Sequence, residues 1–338
     1  MLKIDEKILI SDISSHCKIE DFYNKEDIIM FDIETTGLSP QTSMIYIIGI
    51  NYWKDGAWWI TQYFNDDGQS EAKIIEEFLL ALSKYKYLIE FNGDHFDIPF
   101  VKKRAASLQK TDHLDFDISA FDNIQAVDLY RIIRPFRNIL GLPNMKQKTI
   151  ERYLGINRDD QMNGGELIEV YYHYLRKKDE HSKRLVLLHN RDDMEGMYLI
   201  SSILSIGGLA DGKFCFDSIS MEEENGGLYL LIALKLKSSL LSPIIHSEES
   251  ILLKADKDSV ILRLPVFYGT LYYYYGQTKE GYEEKTGYFI PAGTTNCIIP
   301  YKENYRSKKI YTEINDSFLS DSDAISKYAQ SVIQLILH

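Results

Sequence analysis

Two carboxylates stand side by side in Asp32-Ile33-Glu34, at the end of the apolar run Ile28-Ile29-Met30-Phe31. If that run is a strand, its alternation points positions 32 and 34 to one face and Ile33 to the other. Paired carboxylates repel and are costly to bury, and a hard cation such as Mg²⁺ or Mn²⁺ removes that cost. Asp-x-Glu alone is common. Followed by Thr35-Thr36-Gly37-Leu38 after an apolar strand, it is far more specific. A further carboxylate, Asp97, closes Phe91-Asn92-Gly93-Asp94-His95-Phe96-Asp97, after a strand and turn and at an expected helix start, where aspartate also serves as a routine cap. The last group is His189-Asn190-Arg191-Asp192-Asp193 within a helical stretch. His189 and Asp193 lie one turn apart on the same face, an arrangement that a surface salt-linked pair also produces.

These residues need elements to hold them. Apolar runs predict strands over 28–34, 44–52 and 57–64, the last two joined by the hairpin signal Lys54-Asp55-Gly56. Helical spacing predicts a helix over 70–84 with Ile74, Ile75, Phe78, Leu79 and Leu82 on one stripe. Strands are expected over 87–91 and 124–127, and helices from 129 to 204, broken at Gly141-Leu142-Pro143, Gly155 and Gly164-Gly165. The fold class is therefore α/β with a mixed sheet flanked by helices. Past Gly207-Gly208 the pattern turns to short β-rich runs over 228–237, 249–255, 259–264, 270–275 and 285–290, with a closing helix over 323–337. The expected boundary, about 205–212, divides the chain into a first domain over 1–208, with its core at about 25–205, and a smaller β-rich C-terminal domain over 209–338.

In order and context, the series Asp32-x-Glu34, Asn92-Gly93-x-x-Phe96-Asp97 and His189-x-x-x-Asp193 resembles the DnaQ-like (DEDD) 3′-5′ exonucleases of the ribonuclease H-like superfamily. Phe31–Leu38, Phe91–Phe100 and His189–Asp193 look most like the bacterial YprB-type proteins, and the resemblance covers roughly residues 25–205. It implies a ribonuclease H-like fold with Asp32, Glu34, Asp97 and Asp193 as metal ligands and His189 over the attacking water. It also implies two divalent ions, Mg²⁺ or Mn²⁺, about 4 Å apart, one activating water and the other stabilising the leaving 3′ oxygen. Thr35 and Thr36 would meet the terminal nucleotide, while Asn92 would first of all brace the turn or, alternatively, hold that nucleotide. The chain departs from the pattern in one respect: it carries histidine at the spacing of the tyrosine-type members. Competing readings are a nucleic-acid-binding protein that keeps the fold without turnover, and an endonuclease or RNA-processing enzyme on the same site.

Charge is uneven. The chain carries a net −12, yet residues 129–158 hold Arg131, Arg134, Arg137, Lys146, Lys148, Arg152 and Arg158 against Glu151 alone. Such a segment is either a solvated helical surface or a phosphate-gripping edge. In the second case Arg131, Arg134, Arg137, Lys146 and Lys148 contact single-stranded DNA or RNA. The N-terminal residues lack the apolar stretch of a signal peptide and no uninterrupted apolar run of about 18 residues occurs, so the expectation is a cytoplasmic protein without a membrane span. Cys17, Cys215 and Cys297 are too scattered for a disulfide framework or zinc cluster and read as small buried hydrophobes. Tyr272–Tyr275, with Phe267, Tyr268 and Tyr282, reads as a half-buried strand or a base-stacking platform, and Glu222-Glu223-Glu224 as a solvated loop.

Overall fold

The computed structural model describes residues 1–8, 18–159, 162–275, 279, 281–293 and 299–337, apart from the side chain of Asp112. They fall into two compact units, Met1–Arg134 with Leu142–Ser202, and Pro135–Gly141 with Ile203–His338. The first is a mixed α/β structure. Its elements run β1 (Leu2–Lys7), β2 (Ile28–Thr35), β3 (Ile45–Lys54), β4 (Ala57–Phe64), α1 (Glu71–Leu82), β5 (Tyr87–Glu90), α2 (Asp97–Asp112), β6 (Gln125–Asp128), α3 (Leu129–Ile133), α4 (Gln147–Tyr153), α5 (Gly164–Lys177) and α6 (Glu180–Ile200). Among the described residues the sheet order is β1-β4-β3-β2-β5-β6, antiparallel from β1 to β2 and parallel from β2 to β6.

Strand β1 is absent from the sequence expectation. It lies at the sheet edge, paired with β4 from Leu2↔Phe64 to Lys7↔Trp59, and its outer positions are charged and exposed, so its apolar alternation is too short to read. The β3–β4 hairpin follows its turn signal: Asp55 (φ 50°) and Gly56 (φ 77°) both adopt positive φ, as the tight turn that matches strand twist requires. All three tryptophans sit on this hairpin, with Trp53 opposite Trp58 at a ring separation of 6.0 Å.

The two faces of β2 do different work. Ile29, Phe31 and Ile33 enter a core shared with Ile74, Ile75 and Phe78 of α1 and Phe100 and Val101 of α2, and Phe31 stacks on Phe78 at 5.0 Å. Truncating a buried phenylalanine in such a core costs about 3–5 kcal/mol. The opposite face of the sheet is covered by α5 and α6, where Tyr46, Phe64, Tyr171, Tyr174 and Val186 form a second core. Helix α6 begins at an Asp179 cap that accepts the Ser182 amide, and it packs across β2, β3 and β4. Gly49 of β3 stands opposite Asp32, and a Cβ there would lie 2.4 Å from Asn190 Oδ1 and 2.9 Å from Met194 Cγ. That missing side chain sets how closely α6 approaches the sheet.

The second unit carries α7 (Leu204–Ala210), β7 (Phe214–Glu224), β8 (Gly227–Leu236), β9 (Ile244–Glu248), β10 (Ile251–Asp256), β11 (Ser259–Tyr274), β12 (Tyr282–Pro291), β13 (Tyr311–Ile314), α8 (Asp316–Ser320) and α9 (Ser322–Leu337). Its strands form a separate antiparallel sheet in which β11 is central, pairing first with β8 and β10 and then with β12. The two strands expected over 259–264 and 270–275 are one, because this pairing carries the backbone through Pro265 and Gly269. Glu222–Glu224 belong to β7 rather than a loop. Arg263, lying over the Tyr229 ring at 3.4 Å, bridges Glu222 and Glu224. The tyrosine run splits by strand alternation: Tyr273 turns inward towards Leu271, Phe289 and Tyr301, while Tyr272 and Tyr274 meet Tyr282 on the other face. Cys215 is exposed on β7 and not the buried hydrophobe expected, whereas Cys17 and Cys297 lie outside the described residues.

Candidate active site

Asp32 and Glu34 leave β2 on the face covered by α6, as alternation requires, and Asp97 opens α2. The Asp97 carboxylate turns back to the strand, where its Oδ1 accepts the Ile33 amide at 3.2 Å. From α6, His189 and Asp193 project to the same place. His189 Nε2 lies 3.3 Å from Asp193 Oδ2 and 3.7 Å from Glu34 Oε1, and ligand atoms of Glu34, His189 and Asp193 all lie within 4.8 Å of one another. Asp32 joins them through Asn190, whose Nδ2 donates to Asp32 Oδ2 at 3.1 Å. Of the five residues singled out in the sequence, Glu34, His189 and Asp193 thus gather by their ligand atoms, while Asp32 and Asp97 stand close enough for their charges to act on each other and on Asp193.

Their electrostatics are those of crowded negative charge. Burial, and then the charges of Asp193, Asp97 and Glu34, raise the Asp32 carboxyl well above the usual carboxylate range, against the opposing Asn190 hydrogen bond. Burial pushes Asp97 up to about 7, although the amides of Ile33 and of Asp97 itself favour its charged form. A set of carboxylate oxygens with one imidazole, each carboxylate raising the charging cost of its neighbours, suits a hard divalent cation. On donor chemistry the residues present fit such ions.

Residues not singled out as ligands complete the site. Asn190 is fully buried, and its Oδ1 accepts from Gln62 Nε2 at 3.0 Å, while Gln62 also donates to Leu187 O at 2.9 Å. The orientation of Asn190, and with it that of its donor to Asp32, is therefore fixed from β4. Tyr46 Oη approaches Glu34 Oε2 at 3.5 Å. Arg158, read from sequence as part of a basic surface, is largely buried and bridges two acids: it pairs with Glu151 through Nε and Nη2, and its Nη1 lies 2.5 Å from Asp193 Oδ1. Burial opposes its charge, yet these carboxylates raise its pKa further. The signal in the sequence was Glu151, the lone acid among the basic residues. Asp192 serves the backbone, accepting the Asp159 amide at 3.0 Å, which leaves Asp193 as the residue facing His189.

The residues expected to meet nucleic acid are arranged less uniformly. Thr35 Oγ1 donates to Gly37 O at 2.9 Å and Thr36 Oγ1 accepts the Met44 amide at 3.0 Å, so both hydroxyls brace the loop after β2. Asn92 adopts φ 63°, and its amide donates to Asp128 Oδ1 at 3.0 Å. Arg131 is exposed and 3.4 Å from Asp94, Lys146 is exposed, and Lys148 donates to Met162 O at 2.8 Å. Arg134 is exposed at the end of the first unit, and Arg137 is exposed within the second. These cations do not share one helix, since α3 ends before Arg134 and α4 begins after Lys146.

An uncharacterized protein of Methanocaldococcus jannaschii is 28% identical over 188 residues, covering 54% of this chain and 97% of its own. Among solved structures, the family B DNA polymerase of Pyrobaculum calidifontis aligns with a TM-score of 0.43 at 15% identity, over 54% of this chain and 26% of the polymerase. The zinc-bound exonuclease I–single-stranded DNA complex of E. coli aligns at 0.29 and 11%, over 62% of this chain and 54% of that one. The chain thus spans about a quarter and about half of these two proteins. Residues 29–205, over half of the chain, match the family described as RNase H superfamily, and the chain belongs to that superfamily.

Proposed function

We propose that the first unit is a DnaQ-like 3′-5′ exonuclease, nearest to the YprB type, that hydrolyses single-stranded or frayed DNA or RNA with two divalent ions, Mg²⁺ or Mn²⁺. The observation that carries the reading is the gathering of Glu34, His189 and Asp193 within 4.8 Å beside an Asp32 whose carboxyl is raised by its neighbours. Asp32, Glu34, Asp97 and Asp193 would hold the ions, which when bound supply Lewis acidity at the scissile phosphate and a more acidic water. His189 would accept a proton from the attacking water at Nε2, and Asp193 Oδ2, 3.3 Å away, would stabilise the resulting imidazolium. Arg158 fixes the other oxygen of Asp193, and Asn190 fixes Asp32. Thr35, Thr36 and Asn92 shape the pocket for the terminal nucleotide, and Arg131, Arg134, Lys146 and Lys148 of the first unit attract the phosphate backbone. The activity is assigned to the first unit, within the 1–208 expected for this domain and acting in the cytoplasm, while the β-rich 209–338 carries no assigned chemistry.

The test is incubation with end-labelled single-stranded DNA and RNA in Mg²⁺, Mn²⁺ or EDTA. Stepwise shortening from the 3′ end that EDTA abolishes is the expected result. Internal cleavage would point to an endonuclease on the same site. Binding without any turnover would point to a retained fold that no longer catalyses.

A further inference from the structure

Another acidic group lies at the turn between β5 and α2, outside the residues to which catalysis is assigned. Glu90, Asp94 and Asp128 each offer an oxygen, and these oxygens lie within 4.8 Å of one another. That spread is compatible with oxygens sharing one cation at about 2.1–2.5 Å. Glu90, the last residue of β5, is fully buried. Its Oε2 accepts the Gly93 amide, and its Oε1 has no hydrogen-bond partner among the described residues. Asp128 is 5% exposed. Its Oδ1 accepts the amides of Asn92, Tyr130 and Arg131 at 3.0, 2.8 and 3.2 Å, while its Oδ2 is likewise left without a partner among the described residues. Two buried carboxylates, each with an unsatisfied oxygen, are costly unless a positive charge or a proton reaches them. The ion pair in the group, Arg131 Nη1 to Asp94 Oδ2 at 3.4 Å, falls on its more exposed member.

We propose that Glu90, Asp94 and Asp128 form a further divalent-cation site, distinct from the candidate active site and built entirely of oxygen donors suited to Ca²⁺, Mn²⁺ or Mg²⁺. Half-exposed Asp94 provides the entrance, and Glu90 and Asp128 provide the floor. The ion pins the turn that contains Asn92, with its positive φ, and that leads directly into Asp97. Its role is positioning: it fixes where α2 begins. The inference does not depend on the proposed exonuclease activity.

The test uses the full chain with Asp32→Asn and Asp193→Asn, which weakens ion binding at the candidate active site. Equilibrium binding of Mn²⁺, followed by electron paramagnetic resonance of the free ion, should retain about one ion per chain. Adding Glu90→Gln should remove that ion, and adding Asp94→Asn should weaken it by about tenfold or more. Circular dichroism checks folding, and Asp94→Asn, at a half-exposed position, decides the matter if Glu90→Gln fails to fold. The proposal is overturned if the double variant binds no Mn²⁺, as it would if Glu90 and Asp128 simply share a proton. It is equally overturned if Glu90→Gln and Asp94→Asn leave binding unchanged.

Discussion

At the scale of the residue, the acidic cluster makes opposite demands on stability and on activity. Replacing Asp32 with alanine should lower the nuclease rate by more than about 100-fold, beyond the 10–100-fold cost of losing an outer partner of a ligand. It should also leave the metal-free protein at least as stable, because one of several mutually repelling carboxylates is gone. Full EDTA-sensitive activity in folded Asp32→Ala would remove Asp32 from the site. Asn190→Ala, which takes away the donor to Asp32 and the acceptor for Gln62, should fall within that 10–100-fold range, read as a weaker Mn²⁺ requirement curve. The pH dependence follows from Asp97 at about 7 and from the raised Asp32. Unfolded aspartate titrates near 4, so the folded protein holds these protons more tightly. The resulting stability is fully present below about pH 4 and is lost as pH rises through about 7. The melting temperature of EDTA-treated protein should therefore receive a falling contribution between pH 5 and 8, which saturating Mg²⁺ flattens. A pH profile identical with and without the ion would contradict this.

At the scale of the element, Gly49 makes the strictest demand on packing. An added methyl would crowd the Asn190 and Met194 side chains, so Gly49→Ala must displace these side chains or push α6 from the sheet, and either shift disturbs the Asn190 donor to Asp32. Overpacking of this kind costs about 1–3 kcal/mol, measurable by urea denaturation, and activity should fall even where the protein stays folded. Unchanged stability and activity would show that α6 accommodates the methyl elsewhere. Much of this arrangement was legible in the sequence. The alternation of Asp32 and Glu34, the helix start at Asp97 and the one-turn spacing of His189 and Asp193 are local patterns with a fixed geometric meaning. What stayed hidden depends on contacts between distant segments. Arg158 reads as a surface cation until α4 and α6 bring Glu151 and Asp193 to it. Gln62 reads as an ordinary strand residue until its amide meets α6. Strand β1 was illegible because an edge strand buries little, and Pro265 concealed the continuity of β11 because pairing overrides local propensity.

At the scale of the whole molecule, the proposed grip on nucleic acid by a chain of net charge −12 would have to run through a few cations and bound ions. If the basic residues contact phosphate, a variant carrying Arg134→Ala and Lys146→Ala should bind single strands more weakly. Each lost contact should flatten the plot of log affinity against log salt by about 0.7. Parental affinity across a salt titration would return these residues to the role of solvated surface. The β3–β4 hairpin has a spectroscopic consequence. Because Trp53, Trp58 and Trp59 are the only tryptophans in the sequence and share that hairpin, indole emission reports on the first unit and is blind to the second. Far-ultraviolet circular dichroism registers both. Denaturation followed by the two signals therefore measures whether the α/β unit and the β-rich unit melt as one cooperative body, in coincident transitions, or as two, with the emission change displaced from the ellipticity change.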